Sequence, residues 1–315
     1  MSKRRLGRSA IEIAPLVLGG NVFGWTADEK TSFAILDAFT AEGFTAIDTA
    51  DAYSRWVPGN TGGESETIIG KWLKARGNRG KVHVITKVGS DMGQGRKDLS
   101  AAHIAKAAED SLRRLQTDYL DVYFAHWPDE TVTHEETLGA FEKLVASGKV
   151  RAIGCSNYDE KLLGAALKVS TAKGWPRYEA VQNEYNLYSR SKFEGGVQEI
   201  VLREELGSVP YYGLASGFLT GKYRSEADFG KSPRGKGTAK YLDDKGMRIL
   251  AAMDAVAART GAALSEIALA WLAAQPGVTA PIASATSVAQ VESLGRGARL
   301  TLGTDDLGAL TKAGY

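Results

Sequence analysis

Short apolar runs alternate with longer segments of helical periodicity along nearly the whole chain, and this pattern constrains the fold more than any other feature. Runs rich in β-branched and aliphatic residues predict eight buried strands, at residues 16–20, 44–48, 82–87, 119–126, 150–154, 179–183, 209–214 and 280–283. The helices predicted between them include residues 30–42, 101–115, 135–147 and 264–275. Because parallel strands need crossover connections, usually helices, the alternation predicts a parallel α/β fold.

The strand count favours a closed (β/α)₈ TIM barrel over a doubly wound open sheet. No linker or change of composition divides the 315 residues, so we expect a single domain, residues 1–315. Two short segments, 4–6 and 11–13, flank Gly7-Arg8-Ser9 and predict an N-terminal β-hairpin that caps the barrel floor. Two long loops, 52–63 and 217–240, follow predicted strands, on the face where barrel enzymes build their active sites.

Composition limits the ligand class and the compartment. Lys and Arg number 39 and Asp and Glu 37, for a net charge of +2, so we expect no binding of nucleic acid or anionic membrane. We expect no membrane span and no signal peptide, because no apolar run is long enough. The single cysteine, Cys155, excludes an intrachain disulfide, and we expect it to be a buried thiol. These features predict a cytoplasmic protein, monomeric or weakly homo-oligomeric, that acts on a small molecule.

Four ionisable side chains lie at or just beyond the ends of three consecutive predicted strands. Asp48, Lys87 and His126 end those strands, and Tyr53 follows Asp48 by five residues. Singly, each has a structural explanation: a solvated strand end for Asp48 and Lys87, and packing for His126 and Tyr53. Because parallel strand ends converge on one face of a barrel, we expect all four to share a pocket.

Together these side chains suit the reversible reduction of a carbonyl group. Hydride addition develops alkoxide charge, which an acid must neutralise, and a phenol with a pKa of about 10 is protonated at neutral pH. A neighbouring Lys⁺ favours the phenolate, and an aspartate would hold that lysine in place. His126 can donate a hydrogen bond to the developing oxyanion.

Seven motifs of this chain resemble those of the aldo-keto reductase family: IDTADAY, GESETIIGKWL, ITK, YFAHW, VRAIGCSN, VQNEYN and LASGFLTGKY. The resemblance runs from about residue 4 to 307, essentially the full length. It implies an NADPH-dependent reductase of aldehydes and ketones, with Asp48, Tyr53, Lys87 and His126 as the catalytic tetrad. Tyr53 would be the general acid.

The cofactor site is expected outside the usual glycine-rich fingerprint. Residues 93–98 and 295–300 lack its third glycine, and residues 230–236 lack the hydroxyl that should follow a phosphate loop. In a barrel, phosphate binds in the loops after strands seven and eight. With the resemblance, this indicates a cofactor site formed by Gly20, Asn21, Ser156, Asn157, Gln182, Tyr211, Gly213, Leu214, Ser216, Gly217, Leu219, Gly221, Lys222, Ser284, Ala285, Thr286 and Gln290.

The resemblance assigns specific roles to some of these residues. Ser156, Asn157 and Gln182 would hold the nicotinamide carboxamide. Tyr211 would stack on the nicotinamide ring.

The end of the site near Thr286 departs from the family pattern. Many relatives carry a basic residue near this position and an acidic–Asn pair after Gln290, where this chain has Ser293-Leu294. Ser287 and Gln290 fit a capping box, so a helix should begin there with free N–H groups. We expect these amides and Thr286 to bind the 2′-phosphate of NADPH, with Arg296 or Arg299 assisting, and NADH to be possible.

Four aromatic residues, Phe23, Trp25, Trp56 and Trp127, follow barrel strands and are expected to line a pocket for apolar or flat carbonyl or alcohol substrates. Loop packing would also explain them. No metal is expected, because the four histidines lack ligand spacing. Two other functions stay open: a cofactor-sensing regulatory barrel like the potassium-channel β-subunits, and an aldolase-type barrel using Lys87 as a Schiff-base nucleophile.

Overall fold

A computed structural model describes residues 2–315. Its main sheet has eight parallel strands: β3 (Val17–Gly19), β4 (Ala46–Asp48), β5 (His83–Val88), β6 (Leu120–Ala125), β7 (Val150–Ser156), β8 (Tyr178–Gln182), β9 (Gly207–Ser208) and β10 (Ile282–Ala283). The strands follow chain order, and β10 pairs with β3. Beyond β9, the backbone N–H of Ile282 donates to the carbonyl oxygen of Pro210 (2.9 Å), and Ser208 bridges Val278. These contacts close the sheet, which confirms the predicted (β/α)₈ barrel.

The predicted N-terminal hairpin is also confirmed. Strands β1 (Arg4–Arg5) and β2 (Glu12–Ile13) are antiparallel. The hairpin's apolar side chains, Leu6, Ile11 and Ile13, are buried in one cluster with the inward-facing residues of the barrel strands. The hairpin therefore fills one end of the barrel and leaves the opposite strand ends for a site.

Helices cover the outside of the barrel: α1 (Glu29–Ala41), α2 (Glu64–Arg76), α3 (Ala101–Leu115), α4 (His134–Ala146), α5 (Glu160–Lys173), α6 (Gly196–Arg203), α7 (Asp244–Thr260), α8 (Leu264–Ala273), α9 (Val288–Arg299) and α10 (Thr304–Ala313). Several begin at a side-chain cap, as α3 does where Ser100 accepts from the backbone N–H of His103. The α3 stripe of Ile104, Ala108 and Leu112 is buried, as its spacing predicts.

The seventh barrel strand differs from its prediction. It was expected at residues 209–214, but β9 ends at Ser208. Pro210 has no N–H to donate, and Tyr212 has a positive φ of 56°, so the regular strand does not extend to residue 214. Backbone bonds from Val209 to Val181 (3.0 Å) and from Tyr211 to Asn183 (3.1 Å) continue the pairing as far as Tyr211. The loop expected at 217–240 is a series of short 3₁₀ helices within residues 215–241.

Within residues 2–315, no single helix is long and apolar enough to cross a membrane; α7 and α8 meet that test only jointly, as a pair bent by 100°.

Candidate active site

The structure brings the four predicted catalytic side chains together at one end of the barrel. Asp48 ends β4, Lys87 lies in β5, and His126 directly follows β6. Lys87 Nζ donates to Asp48 Oδ2 (2.7 Å) and to Tyr53 Oη (3.2 Å). The rings of Tyr53 and His126 have centroids 5.8 Å apart. Asp48, Lys87 and Tyr53 therefore form a hydrogen-bonded chain that places the phenol beside the imidazole.

Burial shifts the pKa values of Asp48, Lys87 and Tyr53. It raises the pKa of Asp48 and lowers that of Lys87, while the charge of each partner opposes those shifts. Burial, and then the charge of Asp48, raises the pKa of Tyr53 well above its usual value. Burial and the charge of Asp48 thus outweigh the expected acidifying effect of Lys87 on the pKa of Tyr53. The phenol keeps its proton at neutral pH, as a proton donor must.

His126 is a neutral imidazole with a defined partner. Burial, and then the charge of Lys87, lowers its pKa well below the usual value. Its Nδ1 lies 2.9 Å from the hydroxyl of Ser90. If that hydroxyl donates, the imidazole proton sits on Nε2, the form that can donate to a carbonyl oxygen. Ser90 was not predicted, although its position two residues after β5 was a usable signal.

The three residues expected at the carboxamide lie in one hydrogen-bond network at the ends of β7 and β8. Ser156 Oγ donates to the carbonyl oxygen of Gln182 (2.6 Å), and Asn157 Nδ2 donates to Ser156 Oγ (3.1 Å). Tyr211 Oη donates to Asn157 Oδ1 (2.7 Å). Gln182 Nε2 also donates to Asp48 Oδ1 (2.9 Å), so this network continues into the tetrad.

The loop after β9 makes a left-handed backbone turn. Ala215, Ser216 and Gly217 have consecutive positive φ values of 47°, 58° and 95°. The N–H groups of Ala215 and Gly217 donate to the carbonyl oxygens of Tyr212 (2.7 Å) and Leu214 (2.8 Å), so they are already paired within the turn. A Cβ on Gly217 would lie 3.5 Å from Lys222 Nζ, so the ammonium stands beside this turn.

Other expected cofactor residues differ in what they expose. Ser284 Oγ donates to Asn21 Oδ1 (2.6 Å), which links the ends of β10 and β3. A Cβ on Gly20 would come within 2.9 Å of Ser65 Oγ, so this glycine permits close packing. Leu219 and Ala285 are fully buried, so only their backbone can contact a ligand.

The helix expected after strand eight is α9, and its start is stabilised from two sides. Ser287 Oγ accepts from the backbone N–H of Gln290 (3.3 Å). In a capping box, Gln290 Oε1 would accept from the backbone N–H of Ser287. It accepts instead from the backbone N–H of Thr286 (2.8 Å).

The two arginines expected to assist at the phosphate are placed elsewhere. Arg296 and Arg299 lie in the last turn of α9, away from its N-terminus. Arg296 pairs with Glu266 (2.8 Å) and Arg299 with Glu42 (2.7 Å). Nine residues of helix at about 1.5 Å each separate Ser287 from Arg296, so this expectation is not met.

Three of the four predicted pocket aromatics flank the tetrad. Trp56 lies 5.6 Å from Tyr53 and 5.8 Å from Trp25, and Trp127 lies 6.1 Å from His126, between ring centroids. Trp56 is 49% exposed and Trp127 38%. Phe23 is instead fully buried in the core, because the chain makes a 3₁₀ turn at Gly20–Val22 and directs it inward.

Arg234 is a functional candidate that sequence reasoning missed. Its guanidinium carbon lies 5.0 Å from the ring centroid of Trp25, one of the aromatic residues that flank the tetrad. Its Nη2 is buried and has no hydrogen-bond partner within residues 2–315. Because an unpartnered buried cation is costly, this group suits an anionic ligand. A phosphate-loop motif depends on spacing alone, so the sequence of residues 230–236 does not indicate that Arg234 lies beside Trp25.

Sequence comparisons agree with this arrangement. The model of the Aldo/keto reductase family matches residues 15–314. Aldo-keto reductase YhdN of Bacillus subtilis (strain 168) is 33% identical over 304 residues, covering 95% of this chain and 87% of the relative. Protein tas of Escherichia coli (strain K12) is 31% identical over 336 residues, covering 98% and 96%.

A third relative is named as a channel subunit. The probable voltage-gated potassium channel subunit beta of Oryza sativa subsp. japonica is 31% identical over 299 residues, covering 92% of this chain and 89% of the relative. The family match spans nearly the whole chain and agrees with the barrel and the expected motifs. This protein therefore belongs to the aldo/keto reductase family of oxidoreductases.

Proposed function

We propose that this protein is an NADPH-dependent reductase of aldehydes and ketones in which Tyr53 is the general acid. The observation that carries the proposal is the buried chain from Asp48 through Lys87 Nζ to Tyr53 Oη. It joins a protonated phenol to a cation that favours the phenolate. Members of this family generally use NAD(P)H, which supports a nicotinamide cofactor.

Three groups of residues fit such a cofactor. The network of Ser156, Asn157 and Gln182 would hold the carboxamide, and Tyr211 would stack on the ring. Lys222, whose ammonium stands beside the turn at residues 215–217, would bind the diphosphate. The unpartnered Nη2 of Arg234 supports an anion nearby.

The far end of the cofactor would lie at α9. Thr286 and the first N–H groups of α9 would hold the 2′-phosphate, since a helix N-terminus favours anions. When bound, the nicotinamide supplies the hydride.

Side chains of the tetrad would then orient the carbonyl group and protonate its oxygen. His126 donates a hydrogen bond that orients the carbonyl oxygen, and Tyr53 gives its proton to that oxygen as negative charge develops. Lys87 stabilises the phenolate that results, and Asp48 holds Lys87 in position. Trp56 and Trp127, part-exposed beside the tetrad, would offer flat or apolar carbonyl compounds a surface to pack on.

The test is a panel of aromatic aldehydes, diketones and sugars, with NADPH and NADH oxidation followed in parallel. We expect turnover of aromatic carbonyl compounds and a preference for NADPH. Equal rates with both cofactors would refute the phosphate-binding role of Thr286 and α9. No turnover with any compound would refute the reductase.

A second candidate is a cofactor-sensing regulatory barrel. The similarity to a probable potassium channel subunit beta favours it, as the comparable coverage of both chains shows that the likeness is not confined to one motif. Tight NADPH binding, measured by quenching of tryptophan fluorescence, with no turnover across the panel would select this function.

A further inference from the structure

One buried acidic side chain next to the tetrad has no role in the chemistry described above. Asp51 follows Asp48 by three residues and precedes Tyr53 by two. It is 3% exposed, and its Oδ1 has no hydrogen-bond partner within residues 2–315. Only its backbone takes part in the site, where its N–H donates to the carbonyl oxygen of Lys87 (3.2 Å). An ionised carboxylate in such a position is strongly disfavoured.

The nearby cations are paired with other acids. Lys87 pairs with Asp48. Arg114, on α3, donates from Nε to Oε2 of Glu66, on α2 (2.6 Å). Glu66 is fully buried, and its Oε1 accepts from the hydroxyl of Thr86 (2.5 Å). The charge of Glu66 is therefore compensated, while that of Asp51 would not be.

The groups around Asp51 set its protonation state. Burial, and then the charge of Glu66, raises its pKa to about 8, although Arg114 and Lys87 act in the opposite direction. Tyr123, on β6, is a further buried neighbour, and its hydroxyl has no partner among residues 2–315. An ionised Asp51 would raise the pKa of both Tyr53 and Lys87.

We propose that Asp51 carries a proton in the folded protein at neutral pH and is a positioning residue whose neutrality preserves the acidity of Tyr53. Asp48 then supplies the one negative charge in contact with Lys87, and a second charge does not reach the phenol. The effect on turnover rests on the proposed reductase function. The protonation of Asp51 does not.

Infrared difference spectroscopy of the wild type against Asp51→Asn tests the protonation directly. Asparagine has the shape of the neutral acid but lacks the carbonyl stretch of a protonated carboxyl group. We expect the wild type to show that band at neutral pH and to lose it above about pH 8. A wild-type spectrum with only carboxylate signal from Asp51 at neutral pH would overturn the proposal.

Thermal unfolding tests it without cofactor or substrate. The pKa of Asp51 in the folded state, about 8, is above the usual value of an aspartate, about 3.9, so the folded state keeps a proton that the unfolded state releases. Stability is then lost as pH rises from about 4 to about 8. We expect the Tm of Asp51→Asn minus that of the wild type to grow over this range and then level. A difference independent of pH would contradict the proposal.

Turnover gives the third measurement, with Glu66→Gln as a second variant. As Asp51 ionises, the rate of reduction by the wild type should fall above about pH 8, while Asp51→Asn keeps its rate to higher pH. Superimposable pH profiles of the two proteins would refute the positioning role.

Glu66→Gln frees Arg114 and removes a repelling charge, so the infrared band of the protonated Asp51 should disappear at lower pH than in the wild type. An unmoved band would refute the part assigned to Glu66. Failure of the reductase itself would leave the spectroscopic and unfolding results decisive.

Discussion

At the scale of single residues, Ser90 can set which ring nitrogen of His126 carries the proton. Its hydroxyl is the partner of His126 Nδ1. If it donates there, it leaves the hydrogen on Nε2, the nitrogen that would donate to a substrate carbonyl. Neither residue is charged at neutral pH, so this control works through hydrogen bonding alone.

Ser90→Ala should therefore slow carbonyl reduction with little change in cofactor affinity. A lost hydrogen bond of about 1 kcal/mol corresponds to a decrease in kcat of about fivefold. Ser90→Thr keeps the hydroxyl and should retain most activity. Steady-state kinetics with cofactor binding by fluorescence measures both variants. An Ala variant as fast as the wild type would show that Ser90 does not orient His126.

The sequence predicts some of these residues better than others. Asp48, Lys87 and His126 were predictable because strand ends of a parallel barrel converge. Arg234 was not, because its position depends on the path of several 3₁₀ helices that have no apolar periodicity. Phe23 was expected in the pocket from its place after a strand, but a local turn directs it into the core.

At the scale of elements, an ion network connects barrel strands at the end opposite the tetrad. Asp121, the second residue of β6, is buried and contacts Arg79 (2.8 Å) and Arg151 (3.0 Å). The backbone N–H of Val84, on β5, donates to its Oδ2 (2.9 Å). Burial alone would raise the pKa of Asp121, but hydrogen bonding to His83 and the charge of Arg79 lower it overall.

Asp121→Asn should destabilise the fold by about 2 kcal/mol, because it removes the counter-charge of the partly buried Arg79 and one acceptor oxygen in a buried site. The pKa of Asp121 is depressed in the folded state, so its contribution is complete above about pH 4 and is lost as pH falls further. Urea unfolding measures the loss. Glu29→Gln, which breaks the exposed pair with Lys71, is the control and should cost less than about 1 kcal/mol. Equal losses in both variants would contradict this role for Asp121.

Helices were predicted more closely than strands, for a physical reason. The buried stripe of α3 repeats over four turns, so its bounds, Ala101–Leu115, match the prediction. Strand β9 has two residues, and the segment that follows it keeps only single backbone hydrogen bonds to its neighbours, at Val209 and Tyr211. Composition cannot distinguish a short buried strand from a buried loop of similar residues.

At the scale of the whole molecule, the residues that stabilise the barrel and those of the candidate active site lie at opposite ends. The hairpin and the Asp121 network lie at one end, and the tetrad with Trp25, Trp56 and Trp127 lies at the other. The sequence predicts eight parallel strands, but it does not show how the sheet closes. Closure depends on single backbone contacts such as that between Ile282 and Pro210.

The most direct test of the account compares the wild type with Tyr53→Phe, using NADPH and an aromatic aldehyde. Phenylalanine keeps the ring against Trp56 but has no proton to give. We predict that kcat falls by about a hundredfold or more, as for a lost general acid, while NADPH affinity, measured by quenching of tryptophan fluorescence, is unchanged. A variant that reduces the aldehyde as fast as the wild type would show that Tyr53 is not the proton donor.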